Sequence, residues 1–406
     1  LILFFSICKI CVNIMDEIDI AIIFMLMETE PGREDTDETE SEEVEEMETE
    51  ETKEIKKTND IKVTICYFLY RTSDIELYVE KVIPNCNLAT FKSHFRLTRQ
   101  QFQRLLDLIG PKFRNLGSKC PLEKFALMGL WTLATSEPYR AVGDRFNLPK
   151  SSVSRYLHDF SNLVSVHGNH LINWPINEEI EETINGFHNL GFPNTLGSID
   201  SCHISINKPF ASNVSNPDNY FNRYKFFSVN LMATCNAEMK FTYVDIGSPG
   251  KQPDSMVLHL SDLGQIMEQE PHILFPEETH LIGDSAFPLG KYILTPFKDN
   301  GHLSRAQKRY NLKLSKARSV IERAFSLLRC RFKRLNHIQM NTVENIVLTI
   351  KSCCVLHNLC LDDTSEFCDE YDENENDLFD DDFDGEMETD VFGVLKRNEI
   401  LSSFVY

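Results

Sequence analysis

The chain has 406 residues, of which 42% are hydrophobic and 25% are charged, as is usual for a globular protein that can bury a sizeable core. Its net charge of −21 argues at first against a nucleic-acid-binding protein. The twelve cysteines are scattered and no export signal is recognisable, which favours reduced thiols in a cytosolic or nuclear protein over a disulfide-stapled secreted one.

The first 27 residues are strongly apolar but carry charges at Lys9, Asp16, Glu17 and Asp19. No stretch approaches the roughly 18 uncharged residues that a membrane helix needs, and neither a positive start nor a cleavage site marks a signal peptide. We therefore expect flanking sequence here rather than a membrane or targeting element. Residues 1–60 are interpreted as an apolar leader and an acidic linker outside the fold, and we expect no membrane partner.

Two segments carry most of the acidic charge. Residues 28–54 hold 15 acidic and 2 basic residues, and residues 362–390 hold 16 acidic residues and no basic one. Without these segments, 31 acidic and 39 basic residues are left, a net charge of +8. Blocks of like charge repel themselves and are usually disordered. We expect a basic body that can meet DNA and an acidic disordered tail over 362–406; segments that only aid solubility are an equally good interpretation.

Residues 61–170 have helical periodicity. Apolar residues recur at spacings of three and four after Thr98, which can cap the helix, and Gly110-Pro111 should end it. Further helices are predicted over 121–135, 139–147 and 150–163.

A short helix, a tight turn at Leu148-Pro149 and an amphipathic helix are typical of a helix-turn-helix domain. Lys150, Ser152 and Arg155 on the outer face of the last helix could donate to phosphates or base edges. The alternative is a plain helical bundle with a charged surface.

After a connector over 171–192, the pattern of residues 190–361 changes to that of an α/β domain with a mixed sheet flanked by helices. Strands are predicted over 195–206, 226–235, 240–246 and 280–282, and helices over 254–267, 315–332 and 342–361. Ser315 is the predicted cap of the helix that ends near residue 332.

Three acidic residues lie in apolar surroundings. Asp200 ends the run Leu-Gly-Ser-Ile, Asp284 follows Leu-Ile-Gly, and Glu322 lies in a helix among apolar residues. An unpaired carboxylate is costly to bury, so each acid either has a partner or faces a site, and singly a structural role is the better interpretation. Brought together, the three would repel, and divalent metal is the usual resolution.

Several short blocks occur in the order of a known family. They are Gly-Ser-Ile-Asp-Ser-Cys-His over 197–203, Phe-Ser-Val-Asn-Leu-Met over 227–232, Ser-Pro-Gly over 248–250, Gly-Asp-Ser-Ala-Phe-Pro-Leu over 283–289, Arg-Ser-Val-Ile-Glu-Arg over 318–323 and Cys-Val-Leu-His-Asn over 354–358. Over roughly 90–361 the pattern resembles the DDE superfamily endonucleases of the PIF/Harbinger transposase-derived kind.

The resemblance implies an RNase H-like fold in which Asp200, Asp284 and Glu322 bind Mg²⁺, or otherwise Mn²⁺, and hydrolyse DNA phosphodiester bonds by a two-metal mechanism. Some family members depend on a Myb-like DNA-binding protein for recognition and nuclear entry. We therefore expect DNA and a Myb-like accessory protein as partners, and the nucleus as the location, with the cytoplasm as a second one. The alternatives are a domesticated DNA- or protein-binding factor that keeps the fold without turnover, and an unrelated phosphodiesterase.

The loop after the third strand departs from the family pattern, which usually carries His before Asp; here Pro253 precedes Asp254. Asp254 is therefore either an extra carboxylate of the site or a cap of the following helix.

Basic residues surround Glu322. Arg318, Arg323 and Arg329 are candidate phosphate contacts, and Arg318 and Arg329 should share a face with Glu322. The alternative is ordinary helix solubility with a weak nuclear-import signal. Cys354, His357 and Cys360 have a spacing that suggests zinc, but a fourth ligand is missing and buried helix packing is favoured.

Overall fold

The computed structural model describes residues 78–114, 120–340, 342–361 and 390–404. The predictions for the apolar leader, for the acidic linker and for the tail over 362–389 lie outside these residues. Within the described part of the chain, no helix has both the length and the hydropathy that crossing a bilayer requires.

Among the described residues, six helices of eight or more residues precede the sheet, after a helical turn over Tyr78–Val82 and Ile83–Asn85. They are α1 (Leu88–Phe95), α2 (Arg99–Phe113), α3 (Leu122–Ala134), α4 (Tyr139–Phe146), α5 (Lys150–His167) and α6 (Glu178–Leu190). Thr98 caps α2 in a capping box with Gln101, as predicted. The prediction that Gly110-Pro111 ends α2 is wrong by one turn, because a proline this close to the end costs little and Phe113 is buried.

Helices α3, α4 and α5 pack against one another. Asn147 ends α4 in the left-handed conformation, with φ of 48°, and Pro149 precedes the first residue of α5. Helices α3 and α5 approach so closely that a Cβ on Gly129 would lie 2.5 Å from the ring of Phe160. The second half of α5 packs against a later helix, where the Ser165 hydroxyl donates to the Leu348 carbonyl at 3.0 Å.

The sheet is mixed, and the part of the chain that the structure describes contributes five strands in the order β3-β2-β1-β4-β5. The strands are β1 (Thr195–Ser205), β2 (Ser228–Cys235), β3 (Phe241–Pro249), β4 (His280–Ile282) and β5 (Ile293–Leu294). β1 pairs antiparallel with β2 and β2 with β3, whereas β1–β4 and β4–β5 are parallel. The predicted mixed sheet flanked by helices is confirmed, and β5 is an addition.

Five more helices are α7 (Asp254–Leu260), α8 (Asp262–Gln269), α9 (Arg305–Arg331), α10 (Val343–Leu361) and α11 (Val391–Ser403). The helix predicted over 254–267 is two helices, because Ser261 is extended and caps α8. The predicted start at Ser315 is wrong: Ser304 caps α9 in a capping box with Gln307, and Tyr310 and Leu314 are buried in the added turns. Residues 171–192, which are predicted as a connector, contain α6. The sequence does not predict this helix because its acid-rich first turn has little apolar pattern.

Helix α11 corrects the prediction of a disordered tail for residues 390–404. Asp390 caps the helix, and Lys396, Ile400 and Phe404 are buried against the body. The Lys396 ammonium donates to the Thr279 carbonyl at 3.0 Å. This helix forms because apolar and basic residues follow the acidic run in the sequence.

The hydrophobic core lies on both faces of the sheet. One cluster consists of apolar side chains from helices α1–α5, α9 and α10 and from the face of β1 and β2 that these helices cover. A second cluster joins the opposite face to α7 and α8. His357 in α10 lies in this packing, with its ring nitrogens 3.1 Å from Arg331 Nη1 and 3.0 Å from the Met239 carbonyl. Its environment is that of buried helix packing.

Candidate active site

The register of the sheet brings Asp200 and Asp284 together. The last paired residues of β1 and β4 are Ser198 and Ile282, and the two aspartates each lie two residues beyond that pair. Strand β1 continues to Ser205 after β4 has ended, which leaves an opening at this edge of the sheet. Both carboxylates line the opening and both are buried, with 4% and 5% of the residue exposed.

Burial raises the pKa of Asp200 well above its usual range, and repulsion from Asp284 adds to the rise, while Arg318 opposes it. The Asp200 Oδ1 atom accepts the Ser201 N–H at 2.8 Å, and the Asp284 Oδ1 atom accepts the Ala286 N–H at 3.0 Å. Two buried carboxylates thus repel each other in this opening, an arrangement that favours a bound cation.

Helix α9 carries Glu322, which does not itself line the opening and is joined to Asp200 through the Arg318 guanidinium. The Ser198 hydroxyl donates to the Arg318 carbonyl at 3.2 Å and fixes the helix to β1. The Arg318 guanidinium lies between two acids: Nη1 is 2.9 Å from Asp200 Oδ2, and Nη2 is 2.6 Å from Glu322 Oε1. The Arg318 side chain is 12% exposed. It therefore points into the carboxylates, and not toward an outer phosphate-binding face as expected from the sequence, because two nearby negative charges attract it.

The opposite face of β1 carries Ser201 and His203, since successive residues of a strand alternate. His203 Nδ1 is 3.2 Å from the Ser228 hydroxyl oxygen, and Arg329 Nη2 donates to the His203 carbonyl at 3.2 Å. Burial, and then the charges of Arg223 and Arg329, lower the pKa of His203 to about 4. The imidazole is therefore neutral at physiological pH.

Asp254 lies on this second face. It is the first residue of α7, and the cap residue before it is Pro253, so the expectation that Asp254 caps the helix is wrong. Burial raises the pKa of Asp254, while the Ser201 hydroxyl and the Arg223 guanidinium beside it oppose that rise. Asp254 lines the same opening as Asp200 and Asp284.

Asn230 is a residue of the site that the sequence did not reveal. Its Nδ2 atom donates to the Gln252 carbonyl at 3.2 Å, whereas Oδ1 is buried near His203 without a hydrogen-bond partner of ordinary geometry. The residue lines the opening together with the three aspartates. Its position opposite His203 in the β1–β2 register could be found only from the sheet.

The donors around the opening suit a hard divalent cation. The carboxylates of Asp200, Asp254 and Asp284 and the orphaned Oδ1 of Asn230 are all oxygen ligands of the kind that Mg²⁺ and Mn²⁺ prefer. As the side chains stand, no three Asp, Glu, His or Cys residues within the described ranges are grouped closely enough to hold a metal. The Arg318 guanidinium separates Asp200 from Glu322 instead.

The other predicted DNA contacts lie on two helices. Lys150 and Arg155 are exposed in the first two turns of α5, and Ser152 is partly buried there. Arg323 is exposed on α9, while Arg329 is partly buried and reaches β1. Of the six candidates, Arg318 and Arg329 thus contact the strand that carries Asp200.

Residues 199–358 match the family model described as DDE superfamily endonuclease. The chain is 28% identical to the Arabidopsis thaliana protein named "Protein ALP1-like" over 294 residues, which are 67% of this chain and 71% of that protein. It is 29% identical to the Mus musculus protein named "Putative nuclease HARBI1" over 280 residues, 66% of this chain and 77% of that protein. No solved structure matches the chain.

Proposed function

Because the chain belongs to the transposase-derived DDE endonucleases of the PIF/Harbinger kind, we propose that it is a metal-dependent nuclease that hydrolyses DNA phosphodiester bonds at Asp200, Asp284 and Glu322. The observation that carries the proposal is the meeting of Asp200 and Asp284, both buried, just beyond the last paired residues of the parallel strands β1 and β4. Folding alone gives no reason to bury two like charges together.

The proposed ligands are Asp200, Asp284 and Glu322, with Asp254 and Asn230 as further oxygen donors. When bound, two Mg²⁺ ions, or Mn²⁺, would supply Lewis-acid stabilisation of the attacking and leaving oxygens. Asp200 contributes from the middle of the site, because it lies beside Asp284 and shares Arg318 with Glu322. His203 is neutral, so its ring can hold a water or a sugar hydroxyl by hydrogen bonding without adding charge.

DNA binding is proposed for Lys150, Ser152 and Arg155 on α5, with α4 and α5 as a helix-turn-helix, and for Arg323 and Arg329 on α9. The exposure of Lys150, Arg155 and Arg323 supports this, since phosphate contacts come from solvent-facing cations. We further propose a nuclear location and a Myb-like accessory partner, in keeping with the family.

Cleavage of supercoiled plasmid by the purified full chain tests the proposal. We expect nicking with Mg²⁺ or Mn²⁺, none with EDTA, and a loss of at least 100-fold in Asp200→Asn and Glu322→Gln, on the order of the contribution of a lost charge-stabilising group. Glu399→Gln, an exposed acid on α11, is the matched control. Undiminished cleavage by both site variants would remove these residues from the reaction. A folded wild-type protein that binds DNA without cutting it would favour the domesticated binding factor.

A further inference from the structure

A second cavity opens beside the carboxylates and extends beyond the residues of the proposed hydrolysis. Its volume is about 460 Å³, within the range of cavities that hold small ligands. It shares His203, Arg223 and Asp254 with the carboxylate opening, so a molecule in it would lie directly beside the reacting phosphate.

The walls of this cavity combine an aromatic ring with basic side chains. Phe221 is 42% exposed, and its ring lies 5.1 Å from that of Phe227. Arg223 and Lys251 are exposed on the same walls. Asp218, an exposed acid of the lining, is paired with Lys208 at 2.8 Å.

The frame of the cavity is fixed by hydrogen bonds between two loops. The Ser228 hydroxyl accepts from Asn222 Nδ2 at 2.9 Å and lies 3.2 Å from His203 Nδ1. The loop after β3 lies on the same serine, because a Cβ on Gly250 would be 2.0 Å from Ser228 Oγ. The Lys251 N–H donates to the Asn219 carbonyl at 3.0 Å. The ring and the cations are thus presented by a preformed wall.

An exposed aromatic face with cations beside it is the arrangement that binds an unstacked base and its phosphate. Asp200 and Asp284 are buried in the opening that adjoins this cavity, so the nucleotide next to a phosphodiester held there would lie at the cavity. We propose that this cavity receives one nucleotide flanking the scissile phosphate, with its base on Phe221 and a phosphate near Arg223 and Lys251. The inference rests on the proposed function and names the part of the substrate that the cavity takes.

Binding of deoxythymidine 3′,5′-bisphosphate to the full chain in EDTA, measured by titration calorimetry, tests the cavity without any cleavage. We expect Phe221→Ala to weaken binding by about 5- to 150-fold, the range of one lost base–aromatic contact. Phe221→Trp should keep the affinity, and Lys251→Gln should lower it and flatten its salt dependence. Phe210→Ala is the matched control, because Phe210 is 58% exposed and does not line the cavity.

Each outcome decides the matter. Weakening by Phe221→Ala with unaltered binding by Phe210→Ala supports the nucleotide site. Absence of bisphosphate binding overturns the nucleotide site. The site is also overturned if inorganic pyrophosphate binds as tightly as the bisphosphate and Phe221→Ala keeps full affinity for the bisphosphate, because the cavity would then bind only an anion. Metal-dependent plasmid cleavage measured on the same preparations separates the two ideas, because cleavage that persists without nucleotide binding overturns the cavity and leaves the nuclease.

Discussion

Arg318 is the internal counter-cation of the candidate site, and its removal gives a prediction of stability that depends on metal. In Arg318→Met the side chain keeps most of its apolar volume and loses the charge that lies between Asp200 and Glu322. Asp200 is then left buried beside Asp284 with no opposing guanidinium.

The cost can be worked from the burial of the partners. The side chains of Arg318 and Asp200 are 12% and 6% exposed, and removal of one partner of such a buried pair costs about 3–5 kcal/mol. Glu322 is 28% exposed and partly solvated, so its ion pair with Arg318 contributes little to the free energy of unfolding. We therefore expect Arg318→Met to lower the free energy of unfolding of the metal-free protein by about 3 kcal/mol. Divalent ions at 100 times their Kd would return about 2.7 kcal/mol to a protein that binds them only when folded.

Urea unfolding in EDTA and in excess Mn²⁺ measures both numbers. Arg309→Met is the matched control, because Arg309 is exposed on the same helix. Arg318→Lys should be intermediate, since an ammonium cannot bridge two acids as a guanidinium does. An equal loss of stability in Arg318→Met and Arg309→Met, or a loss that Mn²⁺ does not reduce, would refute the assignment of Arg318 as a counter-cation at a metal site.

Three further predictions concern other parts of the molecule. Burial lowers the pKa of Lys396 to about 8, below its unfolded value of 10.5, so the folded protein loses this proton first as the pH rises. The free energy of unfolding of the wild type should therefore increase between pH 8 and 10.5 by up to about 1.4 kcal/mol per pH unit. Lys396→Met should lack this increase, and parallel curves of stability against pH for the two proteins would contradict the buried ammonium. Asn230→Leu removes the orphaned Oδ1 and should weaken Mn²⁺ binding about tenfold or more by calorimetry, and unchanged Mn²⁺ affinity would exclude Asn230 as a ligand. Arg155→Ala should weaken DNA binding and reduce the slope of log affinity against log salt by about 0.9 in anisotropy titrations, and an unaltered slope would return α5 to a plain bundle helix.

Strands and helices with a clear period could be predicted from the sequence. The sequence predicts β1 to β4 and most of the helices because apolar residues recur at spacings of two residues in strands and of three and four residues in helices. Thr98 marks the start of α2. β5 has only two residues and no period, and it is defined by parallel pairing with β4. The first ten residues of α9 are mostly polar, so its start became visible only through the buried Tyr310 and Leu314. Helix α11 was hidden by the acidic run before it.

The acidic residues of the candidate site could be predicted from the sequence, whereas the positions of its basic side chains could not. Asp200 and Asp284 were found because an acid after an apolar strand is costly without a role, and the sheet register supplies their proximity. The spacing of Arg318 and Glu322 gave their common face on α9, but it could not show that Asp200, on a strand far away in the sequence, would turn the guanidinium inward. Asn230 is invisible for the same reason, since its neighbour His203 belongs to another strand.

The site has acids on both sides of one sheet edge, and each side has its own arginine. Arg318 bridges Asp200 and Glu322 on the α9 face, and Arg223 opposes the charge of Asp254 on the α7 face. The protein can therefore fold around its carboxylates before any metal binds, since each face already has a positive charge. On the proposed function, divalent ions compete with Arg318 for Asp200 and Glu322, so metal affinity in Arg318→Met should rise even as metal-free stability falls. Calorimetric titration with Mn²⁺ measures the metal affinity of Arg318→Met against that of the wild type. A variant that loses both stability and metal affinity would show that Arg318 supports the geometry of the acids and does not compete with metal for them.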